Sequence, residues 1–430
     1  MRYDNLYLWF LADPNAPRYV GQLRLVEAGK GVSLQYGSEW LASGFPLSED
    51  LVLTDIEHLP RWKGMAVGAV DDARPDRWGE RVIQYLDKPA RLSLMEYLYY
   101  AGDDRFGALG VSTSNDAYTP RPKSPLPRLQ QAQELSEVVH KVSATAPVSR
   151  VERQMLNAGG SFGGAKPKAL IDIGGVQWVI KFFDNEPIDV PLVEHASMTL
   201  AKMADITVAE TQVVPLIGEH ALAVRRYDRD GAQRIHCISA GTALRAQALA
   251  GQEPDLGYPS LAQLLRRTGV TDQDQNLYDM RELFRRMVFN ILIDNTDDHE
   301  KNHALQVVAP TRQGRYRLAP AYDILSTNSG FGFQEFIVGV DQRDSTLSNA
   351  MSQCELFGYT PIQAAEQVVR VIRVVDGWRE HFAGCGVTNS DLESLAARID
   401  GDPLLSQRRA FNPAEYASAR TPKRRGPFAR

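Results

Sequence analysis

The sequence predicts an α+β chain of two units, and three observations predict it. Apolar residues alternate at period 2 through much of residues 1–115. A Pro- and Ser-rich stretch without periodicity, 112–128, then interrupts the chain, and helix-period text takes over behind a glycine-rich hairpin at 159–183. The expected layout is a small α/β N-terminal domain (1–115), a strand-rich part (116–235), a mostly helical part (236–418) and a basic tail (419–430).

In the first unit "NLYLWFLA", "YVGQLRLVE" and "GVSLQYGSEWL" read as short strands parted by turns, and "PDRWGERVIQYL" and "SLMEYLYYAG" read as helices. "LQQAQELSEVVHKVSA" opens the second unit as a helix. In "GGSFGGAKPKALIDIGGVQWVIKFF" a Gly-rich turn leads into two strands joined by Gly-Gly, a hairpin signal. "PLVEHASMTLAKMADI" is helical, "QVVPLIGEHALAVRRYD" holds two more strands, and "LAQLLRRTG" and "YDMRELFRRMVFNILID" carry apolar residues at i, i+3, i+4. The tail "RTPKRRGPFAR" has the composition of a mobile end.

Composition removes several function classes. With 430 residues, 43% hydrophobic, the chain can bury a large core. A formal net charge of −5 gives no global attraction to nucleic acid or to anionic membranes. Cys237, Cys354 and Cys385 lie far apart with no C-x-x-C pair, so neither a zinc-thiolate site nor a disulfide framework is expected, and a reducing cytoplasm fits. No apolar run is long enough to span a bilayer, and "MRYDNLYLWFLADP" does not read as a signal peptide.

The segment "DNTDDHEKNH" (294–303) has two incompatible readings. His299, Glu300 and His303 spell H-E-x-x-H, a zinc signature when it lies on a helix; Asp297 and Asn302 spell D-x-x-x-x-N, the catalytic-loop spacing of protein kinases. Zinc needs both histidines on one helical face and a third ligand soon after. Asn295-Thr296-Asp297-Asp298 are poor helix-interior residues, "ALQVV" after His303 is strand-like, and no acidic residue occurs between 304 and 322.

Phosphoryl transfer asks for a flexible backbone cradle, a phosphate-binding lysine, an acid to fix it, a base and two metal ligands. The sequence offers all of them in that order. Gly159-Gly160-Ser161-Phe162-Gly163-Gly164 is the cradle, Lys181 the sole charge in the apolar strand "WVIKFF", and Glu194 its partner on the next helix. Asp297 is the base; Asn302 and Asp323, the latter in "LAPAYDILS" after a predicted hairpin (304–319), are the metal ligands. Each alone has a bland explanation: a turn, a lysine reaching water along a strand, a solvated glutamate, helix-stop residues, a turn cap. Together, in this order, they predict a protein-kinase-like bilobal fold behind the N-terminal domain.

These residues resemble the HipA-type serine/threonine kinases, toxins of bacterial type II toxin–antitoxin modules. "DARPDRWGERVI" (72–83) and "GDDRFGALGV" (102–111) resemble the family's N-terminal signatures, "SFGGAKPKAL" its Gly-rich loop, and "NTDDHEKNHAL" and "LAPAYDIL" its catalytic and metal-binding loops. The resemblance implies that Lys181, and Lys168 at the end of the Gly-rich motif, bind ATP phosphates, that Asp297 is the base, and that Asn302 and Asp323 hold Mg²⁺. It implies inhibitory autophosphorylation at Ser161, where a phosphoserine would repel nucleotide. It places the adenine hinge in "ALAVRRYDR", around Arg225 and Tyr227, and departs there: related sequences often carry an acid where this one has Arg225, so a side-chain bond to the adenine amino group is in doubt. His299 is expected to support the loop backbone, while Glu300 and His303 are expected to have no chemical role.

The resemblance further implies a separately encoded helix-turn-helix (HipB-like) antitoxin, a protein substrate such as an aminoacyl-tRNA synthetase, contact with DNA only through the antitoxin, and no membrane. A small-molecule kinase would use the same ATP machinery, and an idle partner-binding module is a third reading; a zinc hydrolase is the remotest.

Overall fold

The computed structural model describes residues 2–122, 124–156, 166–184, 186–249, 251–311, 314–327 and 330–417. Ser161, Phe162, Gly163, Gly164 and the basic tail lie outside the described residues.

Alternation in the N-terminal text becomes a five-stranded antiparallel sheet, order β4-β3-β2-β1-β5. Its strands are β1 (Asn5–Phe10), β2 (Arg18–Val26), β3 (Gly31–Tyr36), β4 (Glu57–His58) and β5 (Leu109–Ser112). Leu6 and Leu8 of β1, Val20 and Leu23 of β2 and Val32 and Leu34 of β3 are fully buried, each contributing about 1.5–3 kcal/mol over exposure. The helix Arg77–Val82 starts at Asp76, whose side chain caps it by accepting from the Gly79 amide.

The second unit opens on an antiparallel sheet of order β6-β7-β9-β8: β6 (Lys168–Ile173), β7 (Val176–Lys181), β8 (Thr211–Pro215) and β9 (His220–Arg225). Gly174 and Gly175 both take positive φ, 64° and 84°, as a two-residue primed turn requires, so Ile173 faces Val176 and Lys168 faces Lys181. That register brings the two lysines side by side. The helix Val190–Met203, capped by Asp189 with Pro191 in its first turn, packs on β9 and turns Glu194 inward.

A small hairpin, β10 (Arg229–Asp230) with β11 (Gln233–Arg234), leads to a three-stranded sheet of β12 (Cys237–Ser239), β13 (Ala304–Thr311) and β14 (Gly314–Leu318). Helices Tyr258–Thr268 and Gln275–Leu292 pack against β14, and Pro361–Val375 packs on Gln275–Leu292, with Leu283, Met287 and Val371 fully buried. One apolar cluster runs from Leu8 through Leu200 to Val371, so the two units share a core although the sequence changes character between them. No described helix is long and apolar enough to cross a membrane.

Candidate active site

The strand-rich and helical parts meet at Lys181. Its Nζ donates to Glu194 Oε1 at 2.6 Å and to Asp323 Oδ1 at 2.5 Å, joining residues 142 positions apart. Glu194 is 1% exposed, and that burial pushes its pKa up, to about 7, against the pull of Lys181. Burial also opposes the charges of Lys181 and Asp323, but their mutual attraction outweighs it: the lysine pKa is raised and the Asp323 pKa lowered. Asp323 itself sits at φ 59°, an uncommon conformation for a non-glycine residue and one found at functional turns.

Opposite this cluster the helix Gln275–Leu292 stops, Asp294 turns the chain at φ 58°, and residues 295–303 run as an irregular loop into β13. H-E-x-x-H is therefore not on a helix, and among the described residues no group of three or more His, Cys, Asp or Glu side chains could hold a metal ion. The zinc reading fails on both grounds. Asp297 is exposed, yet nearby protein still desolvates its carboxyl enough to raise its pKa; Asp323, Glu335 and Asp298 add to the rise, while His299 opposes it. His299 accepts from the Lys301 amide at 3.2 Å and its carbonyl accepts from the Asn302 amide, so it supports the loop backbone.

Asn302 is buried. Its side-chain nitrogen donates to the Asp297 carbonyl at 3.3 Å, while its Oδ1 has no hydrogen-bond partner among the described residues. A buried acceptor without a donor suits a cation, and Asp323 is kept ionised by Lys181. Two protein ligands are enough for Mg²⁺, which usually keeps waters and takes phosphate oxygens for the rest. These residues fit the ion; Asn302 and Asp323 would hold it.

Beside Lys181 a narrow apolar slot is lined by Lys168, Val179, Val224, Tyr227 and Tyr322. Tyr227 and Tyr322 stack at 5.5 Å between centroids, and the Tyr322 hydroxyl donates to the Lys301 carbonyl at 2.6 Å, tying the slot to the loop 295–303. Arg225 borders the slot, but its guanidinium turns outward to Glu210 at 3.0 Å. Residue 225 thus directs its side chain away from the slot, and Arg226 pairs in the interior with Asp228.

Sequence reasoning missed three features. Glu300 pairs with Arg245 at 2.8 Å, and His303 holds buried Asp298 at 3.0 Å. Tyr258 donates to the same carboxylate and accepts from Asn290 Nδ2, so Asp298 fixes the loop from below while Asp297 stays at the surface. The N-terminal signatures also reach the second unit: Asp72 binds Ser239, Asp76 binds Lys168, and the Gly107 amide donates to Asp228. A run of acids in "DDARPD" (71–76) was the only signal, and nothing in a linear text says what they face.

Comparison with known proteins agrees with this architecture. The HipA-like C-terminal domain family matches residues 160–378 and the HipA N-terminal domain family residues 16–112. Among solved structures, the Shewanella oneidensis MR-1 toxin–antitoxin complex of HipA, HipB and its operator DNA matches with a TM-score of 0.65 at 18% identity, covering 94% of this chain and 97% of that one. Among curated proteins, Y4dM of Sinorhizobium fredii, provisionally named a kinase, is 34% identical over 167 residues, 36% of this chain and 38% of its own length. A provisionally named kinase of Haemophilus influenzae is 27% identical over 146 residues, 31% of this chain and 40% of its own length. The chain thus spans about two fifths of the length of the curated relatives it matches.

Proposed function

Since the chain belongs to the HipA family, its residues 160–378 matching the HipA-like C-terminal domain, we propose that it is an Mg-ATP-dependent serine/threonine protein kinase acting in the cytoplasm as the toxin of a toxin–antitoxin pair. The observation that carries this reading is the convergence of Lys181, Glu194 and Asp323 opposite a loop bearing Asp297 and Asn302. Lys181, charged and braced by Glu194, orients the nucleotide phosphates; Asp297 accepts the proton of the acceptor hydroxyl as its oxygen bonds to the γ-phosphorus and the bond to the ADP oxygen breaks. Mg²⁺, when bound, neutralises phosphate charge. Asn302 and Asp323 are its ligands in this reading.

The acceptor is Ser161 of the chain itself, where phosphorylation is inhibitory, and a translation-related protein such as an aminoacyl-tRNA synthetase, so that growth stops. A helix-turn-helix antitoxin of the HipB type is the partner through which DNA is reached, by analogy with the Shewanella complex of HipA, HipB and operator DNA.

Intact and peptide mass spectrometry of the protein incubated with Mg-ATP, wild type beside Asp297→Asn, tests this. Phosphate gained at Ser161 by the wild type alone is expected. No phosphate on either protein, before or after ATP, would remove autophosphorylation and favour a small-molecule kinase or an idle binding module.

A further inference from the structure

Lys181 has its Glu194 brace within its own unit; Lys168, its direct neighbour across β6 and β7, is braced from the other one. Lys168 Nζ donates at 2.8 Å to Oδ2 of Asp76, which comes from the N-terminal domain, and both side chains are only 6% exposed. Two positions on, Trp78 Nε1 donates to the Lys168 carbonyl at 2.7 Å, so side chain and backbone of one residue are held from the same short segment. The other oxygen of Asp76 is committed as the helix cap, accepting from the Gly79 amide at 2.7 Å, which fixes the direction in which Oδ2 points. Four residues earlier, Asp72 takes the amide and hydroxyl of Ser239 at 2.8 and 2.7 Å, at the start of the helical part. The segment 72–78 therefore grips both sides of the cleft.

We propose that Asp76 is the positioning residue of Lys168 and that the N-terminal domain, through it, completes the nucleotide-phosphate site. The inference rests on the phosphotransfer reading above. A lysine ammonium has no fixed direction of its own, so the Asp76 bond, together with the Trp78 bond to the Lys168 carbonyl, sets where this one points, beside Lys181 at the edge of the slot. Removing the aspartate takes one negative charge away from the incoming phosphates, which by itself favours binding. It also frees the ammonium to swing away from the phosphates, and that loss is the larger, because Lys168 already neutralises Asp76.

Titration calorimetry of the full chain with Mg-ATP and, separately, with adenosine tests this on wild type, Asp76→Asn, Lys168→Met and the double variant. Asparagine caps a helix about as well as aspartate, so the change isolates the charge; Asp76→Ser, also a capping residue, serves if the first variant does not fold. The expected result is Mg-ATP affinity about tenfold weaker in Asp76→Asn, adenosine affinity unchanged, and no effect of the same change in the Lys168→Met background. Unchanged or tighter Mg-ATP binding overturns the proposal, as does equal loss of ATP and adenosine, which marks general damage to the cleft. A wild type that binds neither ligand overturns the phosphotransfer reading beneath it.

Discussion

Glu194→Gln is the most informative single change in the cleft. Glu194 is 1% exposed and accepts from Lys181 at 2.6 Å, yet Lys181 also has Asp323 at 2.5 Å, so the lysine is not left unpartnered. Breaking a buried pair outright costs about 3–5 kcal/mol. Here glutamine keeps an acceptor and removes a charge that burial disfavours, so the two effects offset and the change in stability is about 1 kcal/mol or less. Catalysis loses far more. With the brace gone, Lys181 is held by Asp323 alone and can swing about it, and a shift of about 1 Å in a positioning group costs roughly 100-fold. Steady-state ADP release and thermal melting on the same preparation measure both quantities. A kcat/KM within threefold of wild type would refute the reasoning, since Lys181 would then be positioned by something else. The pH dependence adds a second check. A carboxyl whose folded pKa is raised, here from 4.5 to about 7, binds its proton more tightly in the fold. Its stabilising contribution is therefore full below pH 4.5 and lost as pH rises through about 7, a slope that Glu194→Gln removes in the nucleotide-free protein.

Three further outcomes follow from the same geometry. Asn302→Ala removes a buried acceptor that has no donor, so stability changes by about 1 kcal/mol or less, while the Mg²⁺ concentration for half-maximal rate rises about tenfold; an unchanged requirement in a metal titration would refute the ligand assignment. Tyr258→Phe strips a donor from buried Asp298 and an acceptor from Asn290, and urea denaturation should show a loss of about 1–3 kcal/mol. The pKa of Asp297 is raised above 3.8, chiefly by desolvation, so kcat should fall on acidification while the pH is still above the ordinary aspartate value; a profile flat down to about pH 4 would exclude Asp297 as the base.

The sequence by itself determined the order of the cleft's parts. Gly174-Gly175 dictated a two-residue turn and hence the Lys168–Lys181 register, because only a residue without Cβ takes two successive positive φ values at no cost. The poor helix formers 295–298 ended the helix and left Asp297 and Asn302 on a loop, which also disposed of the zinc motif. What the sequence could not determine is which distant charges meet. Asp76 faces Lys168 across 92 positions and Asp323 faces Lys181 across 142, and Arg225 turns away to Glu210 while Arg226 pairs with Asp228 in the interior. Propensity and periodicity are local, whereas a buried charge is tolerated only where the fold supplies its partner. The long-range Asp76–Lys168 and Asp323–Lys181 pairings were therefore decided by how the chain packs on a shared core.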